Sequence, residues 1–400
     1  MSMPDALARR RNYRGPAIFS YGFRPFFLGG AAWAALSIAL WIPQYLGGLV
    51  LPSAIGALDW HIHEMLYGFV PAVVAGFLLT AIPNWTGRLP VCGAPLAALA
   101  ALWLAGRIAM LSTSSIGLTA AAVIDVSFLV ALAAVALREI VAGSNWRNLR
   151  VLVIVGVLIA GNILFHIEII RTGSADYGIR LGLGSVVMLI SLIGGRVVPS
   201  FTHNWLVREN PGRLPRSFGR FDALTLASSV VALAAWVAAP GHALTGTALL
   251  LAGLLHGARL FRWAGDRTLS NPLVFVLHVA YLFIPLGFLM VGMSILQPAL
   301  VPASAGIHAW TAGAIGMMTL AVMTRASLGH TGQPLVASAM TQVIYLCAGL
   351  AAVARIAAVF TGDMALMHIS ALAWVSAFGG FAVVYGPRLA LRPPAWSGCS

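Results

Sequence analysis

The sequence predicts an all-α polytopic membrane protein of about twelve transmembrane helices. Three observations carry this. The 400 residues are 60% hydrophobic and 9% charged, whereas an ordinary soluble domain carries roughly 25% charged residues. The mean hydropathy is +0.91. The apolar residues also fall in runs long enough to cross the hydrocarbon core, which takes a helix about 20 residues.

Runs between polar or Pro/Gly breaks place the helices at 26–48, 61–83, 94–112, 117–141, 149–172, 178–200, 222–240, 244–261, 272–295, 305–325, 336–360 and 363–387. The connections are short, and no polar stretch is long enough for a soluble domain. Residues 26–387 therefore read as one transmembrane domain. Residues 1–25 form an Arg-rich N-terminus with no apolar core, which argues against a cleaved signal peptide. Residues 388–400 are a short tail. Cys92, Cys347 and Cys399 are far apart and form no CxxC pair, so neither a disulfide framework nor a structural zinc site is expected.

All 24 basic residues are arginine, and the formal net charge is +13. Their placement excludes a nucleic-acid role, because they sit in short loops at helix ends. An N-terminus in the cytoplasm puts twenty of the 24 on that side, leaving Arg107, Arg171, Arg180 and Arg355 near the opposite face. That asymmetry orients the chain in an inner (cytoplasmic) membrane with both termini inside.

Internal likeness is visible too. Gly184, Met188, Arg196 and Thr202 align with Gly313, Met317, Arg325 and Thr331 at one offset. After helix two comes Gly93-Ala-Pro-Leu96, and after helix ten Gly332-Gln-Pro-Leu335. Each is followed by an arginine before Ile-Ala, Arg107 and Arg355. Helices two, six and ten are four apart, so three four-helix units in a pseudo-threefold ring are one expectation. Chance recurrence of Gly, Met and Ala is the other.

Ionisable groups inside a bilayer are costly and ask for a function. Of the ten histidines, five lie toward the outer face: His61 and His63 on helix two, His166 on helix five, His308 on helix ten and His368 on helix twelve. His242 is in an outer loop. Imidazoles from several helices converging in a bundle build haem or copper sites; helix-to-helix hydrogen bonding is the plainer role. His61 and His63 are two residues apart, so on a regular helix they diverge. The small-residue stripe Gly68, Ala72, Gly76 falls on the His61 side and His63 on the Tyr67 side. Which of the two ligates stays open. Glu168 is either a carboxylate supporting a ligand at His166 or part of an interfacial polar patch. Arg107 and Arg355, with Arg171 and Arg180, either bind haem propionates or snorkel to the interface. Asp125 is the carboxylate deepest in a span and could pair with an arginine or serve a proton path. His256 and His278 lie nearer the cytoplasmic side, for a second centre, a proton route or a structural hydrogen bond. His203 and His330 read as loop residues.

At several segments the chain resembles the NnrS family. Trp60-His-Ile-His-Glu-Met65, Gly76-Phe-Leu-Leu-Thr80 and Pro83-Asn-Trp-Thr-Gly-Arg88 carry the likeness at helix two. His308-Ala-Trp-Thr-Ala-Gly-Ala-Ile-Gly316 through Met318–Arg325 to Leu328-Gly-His-Thr-Gly332 carries it at helix ten. Gly22-Phe-Arg-Pro-Phe-Phe27, Gly195-Arg-Val-Val-Pro-Ser-Phe-Thr202 and Pro272-Leu-Val-Phe-Val-Leu-His278 agree as well. The resemblance implies a haem- and copper-containing membrane protein of the nitric oxide response, in nitrosative stress or denitrification. It points to His61, His63, His166, His278 and His308 as candidate cofactor ligands. Nitric oxide and the lipid bilayer are the implied partners. Alternatives are an NO-reducing oxidoreductase, which needs an electron donor, and a secondary transporter. The fold also resembles the haem-copper oxidase catalytic subunit, but helix six carries no histidine and helix seven no His-His pair, so the usual three-histidine copper site is missing.

Overall fold

The computed structural model describes residue 13 and residues 15–391. Arg9, Arg10, Arg11, Arg14, Arg392 and Cys399 lie outside the described residues, as does most of the expected N-terminal and C-terminal tails. Twelve helices are long and apolar enough to cross a membrane: α1 (Phe23–Tyr45), α2 (Ala57–Thr86), α3 (Ala94–Leu111), α4 (Leu118–Ala142), α5 (Trp146–Thr172), α6 (Tyr177–Glu209), α7 (Arg220–Ala238), α8 (Ala243–Arg267), α9 (Pro272–Leu296), α10 (Ala303–His330), α11 (Ala339–Thr361) and α12 (Met364–Ala390). Among the described residues there is no strand. The chain is a multi-pass α-helical membrane protein. Helices are the economical answer here, because hydrocarbon offers no partner to a free backbone group. Outward-facing Leu224, Leu251, Leu346, Leu372 and Val383 are exposed, as apolar faces are where lipid replaces water.

Two helices run further than their apolar runs predict. α6 continues to Glu209 with Pro199 inside it, and α10 continues to His330. A helix satisfies its own backbone on either side of the membrane boundary, so leaving the apolar layer does not end it. His203 and His330 are consequently helical rather than in loops, and α6 does carry a histidine. The His330 ring lies 5.7 Å from Tyr21 and 5.5 Å from Phe23.

The chain forms two compact units. One comprises the described residues up to Gly182, Ala326–Pro334 and the described residues from Phe378 onward; the other comprises Leu183–Arg325 and Leu335–Ala377. In the first unit, glycines bring α5 against the start of α6. A Cβ on Gly161 would stand 2.9 Å from the Gly182 nitrogen, and one on Gly178 would stand 2.5 Å from the Phe165 nitrogen. Small residues of this kind let membrane helices approach backbone to backbone. The Tyr67 hydroxyl on α2 donates to Gly178 O at 2.7 Å, tying α2 to this hairpin. The open end of α5 closes at Gly173, whose left-handed φ of 81° suits glycine.

Both α2 and α10 change helix type partway. α2 is α-helical over Ala57–His63, π-helical over Glu64–Phe69, and α-helical again from Val70. α10 is α-helical over Ala303–His308, π-helical over Ala309–Gly316, and α-helical from Met317. The internal likeness read from sequence thus has a structural counterpart, and each π segment starts one residue after a histidine.

The close packing at Gly178 is testable. Gly178→Val overpacks a backbone contact and should cost roughly 1–3 kcal/mol, lowering the thermal unfolding midpoint in detergent. Gly156→Val, at a position with nothing within 4 Å, should leave the midpoint unchanged.

Candidate metal centre

The first unit holds a buried polar cluster drawn from five helices. Glu64 on α2 is fully buried. Its Oε2 accepts from Trp33 Nε1 of α1 at 2.7 Å and from Arg107 Nη1 of α3 at 2.5 Å. Its Oε1 stands 3.0 Å from His63 Nδ1. A carboxylate that already takes two charged or polar donors accepts here as well, so His63 Nδ1 carries a proton and Nε2 is the ring nitrogen turned toward the rest of the cluster.

Asp125 on α4 faces that nitrogen. Arg107 Nη2 donates to Asp125 Oδ1, and Asn162 Nδ2 of α5 donates to Oδ2 at 2.8 Å. His63 Nε2 lies 3.2 Å from Oδ2 outside hydrogen-bonding geometry, and it has no hydrogen-bond partner. His166 Nε2 of α5 also lies 3.2 Å from Oδ2. Ligand atoms of His63, Asp125 and His166 all lie within 4.8 Å of one another. Tetrahedral donors about 2.0–2.2 Å from one ion stand roughly 3.3 Å apart, so the two imidazoles and the carboxylate fit around a single metal ion. A porphyrin does not fit at this trio. Asp125 Oδ2 stands 3.2 Å from His63 Nε2, and the His166 ligand atom lies within 4.8 Å of both, in the space a haem on that nitrogen would need.

Local sequence explains how the helices deliver these groups. The π segment of α2 carries an i→i+5 bond, Val70 N–H to Met65 O, and such a widened turn shifts the register of everything beyond it. Gly68, four residues beyond Glu64, faces Glu64 and Arg107, where a Cβ would meet both; the stripe expectation placed it on the His61 side. Gly106 on α3 leaves the same room beside Asp125, since its Cβ would stand 3.2 Å from Oδ1. His63 is the sixth residue after the start of α2, and His166 the sixth before the end of α5. At 1.5 Å per residue the centre lies about 9 Å inside one end of these helices.

The other expected residues sit elsewhere. His61 stacks on Trp41 with ring centroids 4.0 Å apart. His308 Nδ1 lies 2.7 Å from Ser304 O, and its Nε2 accepts from Arg355 Nε at 3.0 Å, so both ring nitrogens are engaged. His278 Nε2 is 2.8 Å from Thr202 Oγ1. His368 is exposed and bonds its own helix at Met364 O. His242 caps α8, accepting from Leu244 N. Glu168 accepts from the backbone nitrogens of Asp176, Tyr177 and Gly178, which makes it the cap of α6 and not a support for His166. Arg107 pairs with protein carboxylates and Arg355 with a histidine. Asp125 does pair with an arginine.

Sequence reasoning passed over Glu64 and Asn162. Glu64 stands next to His63 in the quoted motif, and Asn162 is one turn before His166; a buried amide at i−4 from a membrane histidine was the available signal.

The family model described as NnrS protein matches residues 17–392. No curated protein matches the sequence significantly.

Removing the cation from this cluster leaves two buried carboxylates uncompensated. Arg107→Met should cost about 3–5 kcal/mol, read as a lowered unfolding midpoint. Arg88→Met, at a half-exposed arginine paired with Glu139, should change the midpoint far less.

Proposed function

The chain belongs to the NnrS family, and on that premise we propose that it handles nitric oxide at a metal ion held inside the bilayer by His63, His166 and Asp125. The observation that carries the proposal is the His63 ring. Its Nδ1 is committed to Glu64, and its buried Nε2 has no hydrogen-bond partner while facing a carboxylate and a second imidazole. That is the carboxylate–histidine arrangement in which the outer acid fixes the tautomer of a ligand. Copper suits the set, since imidazole nitrogens bind it strongly among first-row divalent metals. The haem that the family resemblance also implies finds no seat at this trio and takes no part in the chemistry assigned to it.

Copper, when bound, supplies a coordination position for nitric oxide and one-electron chemistry. The protein does the rest. Glu64 orients the His63 ring and Arg107 balances both carboxylates. Arg107 and Asn162 hold Asp125 so that Oδ2 faces the imidazoles. Phe165, 5.0 Å from the His63 ring, and Tyr67 pack over the site and keep water from it. Nitric oxide is small, uncharged and soluble in apolar phases, so it reaches a buried centre from the lipid without a polar channel. The setting this reading supports is the bacterial inner membrane under nitrosative stress or denitrification, with both termini in the cytoplasm. The arginine asymmetry supports that orientation. Consumption of nitric oxide would add an electron donor; binding alone needs none.

Metal analysis tests the proposal. Protein purified from copper- and haem-sufficient cells should hold about one copper per chain at this trio, the number one mononuclear site takes. His63→Ala, His166→Ala and Asp125→Asn should each abolish it, with His368→Ala retaining it. Adding nitric oxide without oxygen should change the copper EPR spectrum of the parent protein only. Unchanged copper in the trio variants would sink the assignment, and a Soret band surviving in all of them would move the nitric oxide chemistry to a haem elsewhere.

A further inference from the structure

The second unit contains a buried network that the metal centre does not use. Asp222 of α7 accepts from Arg259 Nε of α8 at 2.8 Å. Arg259 Nη1 donates to the Tyr281 hydroxyl of α9 at 3.0 Å. The Tyr281 oxygen is 2.9 Å from His256 Nδ1, and His256 Nε2 is 2.8 Å from Ser229 Oγ. Ser229 donates to Thr225 O at 2.7 Å. The two ends constrain the protons between them, with Ser191 as a further side-chain neighbour of the Tyr281 hydroxyl. Guanidinium only donates and a carbonyl only accepts. Tyr281 therefore gives its proton to His256 Nδ1, and His256 gives its Nε2 proton to Ser229. His256 is a neutral imidazole poised to take the phenolic proton.

Aromatic rings extend from this pair in both directions. Tyr281 is in edge contact with Trp263 at the end of α8, centroids 4.6 Å apart. His256 stacks on Phe288 at 5.3 Å, Phe288 meets Trp310 at 5.0 Å, and Trp310 meets Trp236 at 5.5 Å. Trp236 lies near the C-terminal end of α7 and Trp263 at the opposite end of the α7–α8 hairpin. Tyr281, Trp263, Trp236 and Trp310 are all buried. Tryptophan and tyrosine are the most readily oxidised aromatic side chains; here Trp263 touches Tyr281 directly, and His256 and Phe288 bridge Tyr281 to Trp310 and Trp236 in one file of rings.

We propose that Tyr281 is a redox-active tyrosine, with His256 as its proton acceptor and the tryptophans carrying oxidising equivalents to it. The oxidant is a lipid-soluble one-electron oxidant of the nitrogen dioxide radical class, which forms where nitric oxide meets oxygen. One electron leaves Tyr281 and reduces the radical to nitrite. The phenolic O–H bond breaks, and the proton forms an N–H bond at His256 Nδ1. The products are a neutral tyrosyl radical, imidazolium and nitrite. A thiol or quinol returns the electron, and His256 returns the proton. Asp222 holds the charge of Arg259 beside the new imidazolium, and burial shields the radical from water.

Freeze-quench EPR of the full-length protein in lipid nanodiscs tests this. The protein is exposed to nitrogen dioxide radical generated from nitric oxide and oxygen. The parent should give a neutral tyrosyl signal that Tyr281→Phe abolishes and Tyr345→Phe keeps. His256→Gln can accept the hydrogen bond but cannot take the proton, so it should also lose the signal while still eluting as a folded species. If Tyr281→Phe aggregates, His256→Gln carries the test alone. No tyrosyl signal in the parent, or an undiminished one in either variant, overturns the proposal. The His63→Ala protein, lacking the proposed metal centre, should keep the signal, so the two readings fail separately.

Discussion

Arg107 is a guanidinium enclosed by apolar helices, and the first unit is arranged around the need to compensate it. In low dielectric an unpaired charge is prohibitively costly, and even a paired one is stable only with good geometry and few unsatisfied protons. Glu64 and Asp125 supply the counter-charge from α2 and α4, on either side of the α3 arginine. Once both are present the surplus is negative, and it is this surplus that two imidazoles surround. The pairing thus fixes α2, α3 and α4 in register with one another. It also leaves Asp125 Oδ2 as the oxygen that Asn162, His63 and His166 share. A site for a cation follows from how the arginine is neutralised.

The π segment of α2 begins at Glu64, directly after His63, where both residues serve that arrangement. On a regular helix, neighbours point about 100° apart, and Gly68, four residues beyond Glu64, shares its face. With the wider turn beginning at Glu64, Gly68 yields its side-chain volume to Arg107 and the Glu64 carboxylate folds back onto His63. Such insertions cost hydrogen-bond quality and are kept where they aim side chains. Trp33 and Trp103 strengthen the same place, donating to Glu64 and to Gly68 O. The carbonyl that a distorted helix offers sideways is thereby satisfied.

The fold was legible because it depends on composition and run length, and twelve apolar runs became twelve helices. Ends were less legible at α6 and α10, where helical backbone continues past the apolar layer. At the site, His63, His166, Arg107 and Asp125 all stand out in sequence as polar residues inside spans. What sequence could not supply was which of them meet. His61 and His63 point to opposite sides of the same α-helical turn, and periodicity did not tell which side meets the polar groups of the other helices. Spacing to His166 left Glu168 open between a ligand's support and an interfacial polar patch, and the open nitrogens at the start of α6 claim it. Proximity across helices depends on glycine contacts such as Gly178 on Phe165, which periodicity does not report.

The likeness of α2 and α10 sharpens what makes one histidine available and the other not. His63 and His308 each precede a π segment, and each has an arginine from the following helix nearby. In α2 the next residue is Glu64, which occupies the arginine and accepts a hydrogen bond from His63 Nδ1. In α10 the next residue is Ala309, so no carboxylate intervenes. Arg355 then donates straight to His308 Nε2, while Ser304 O takes the other nitrogen. The same backbone device leaves a ring nitrogen without a hydrogen-bond partner in one case and engages it in the other. The difference is a single acidic side chain placed between an arginine and an imidazole.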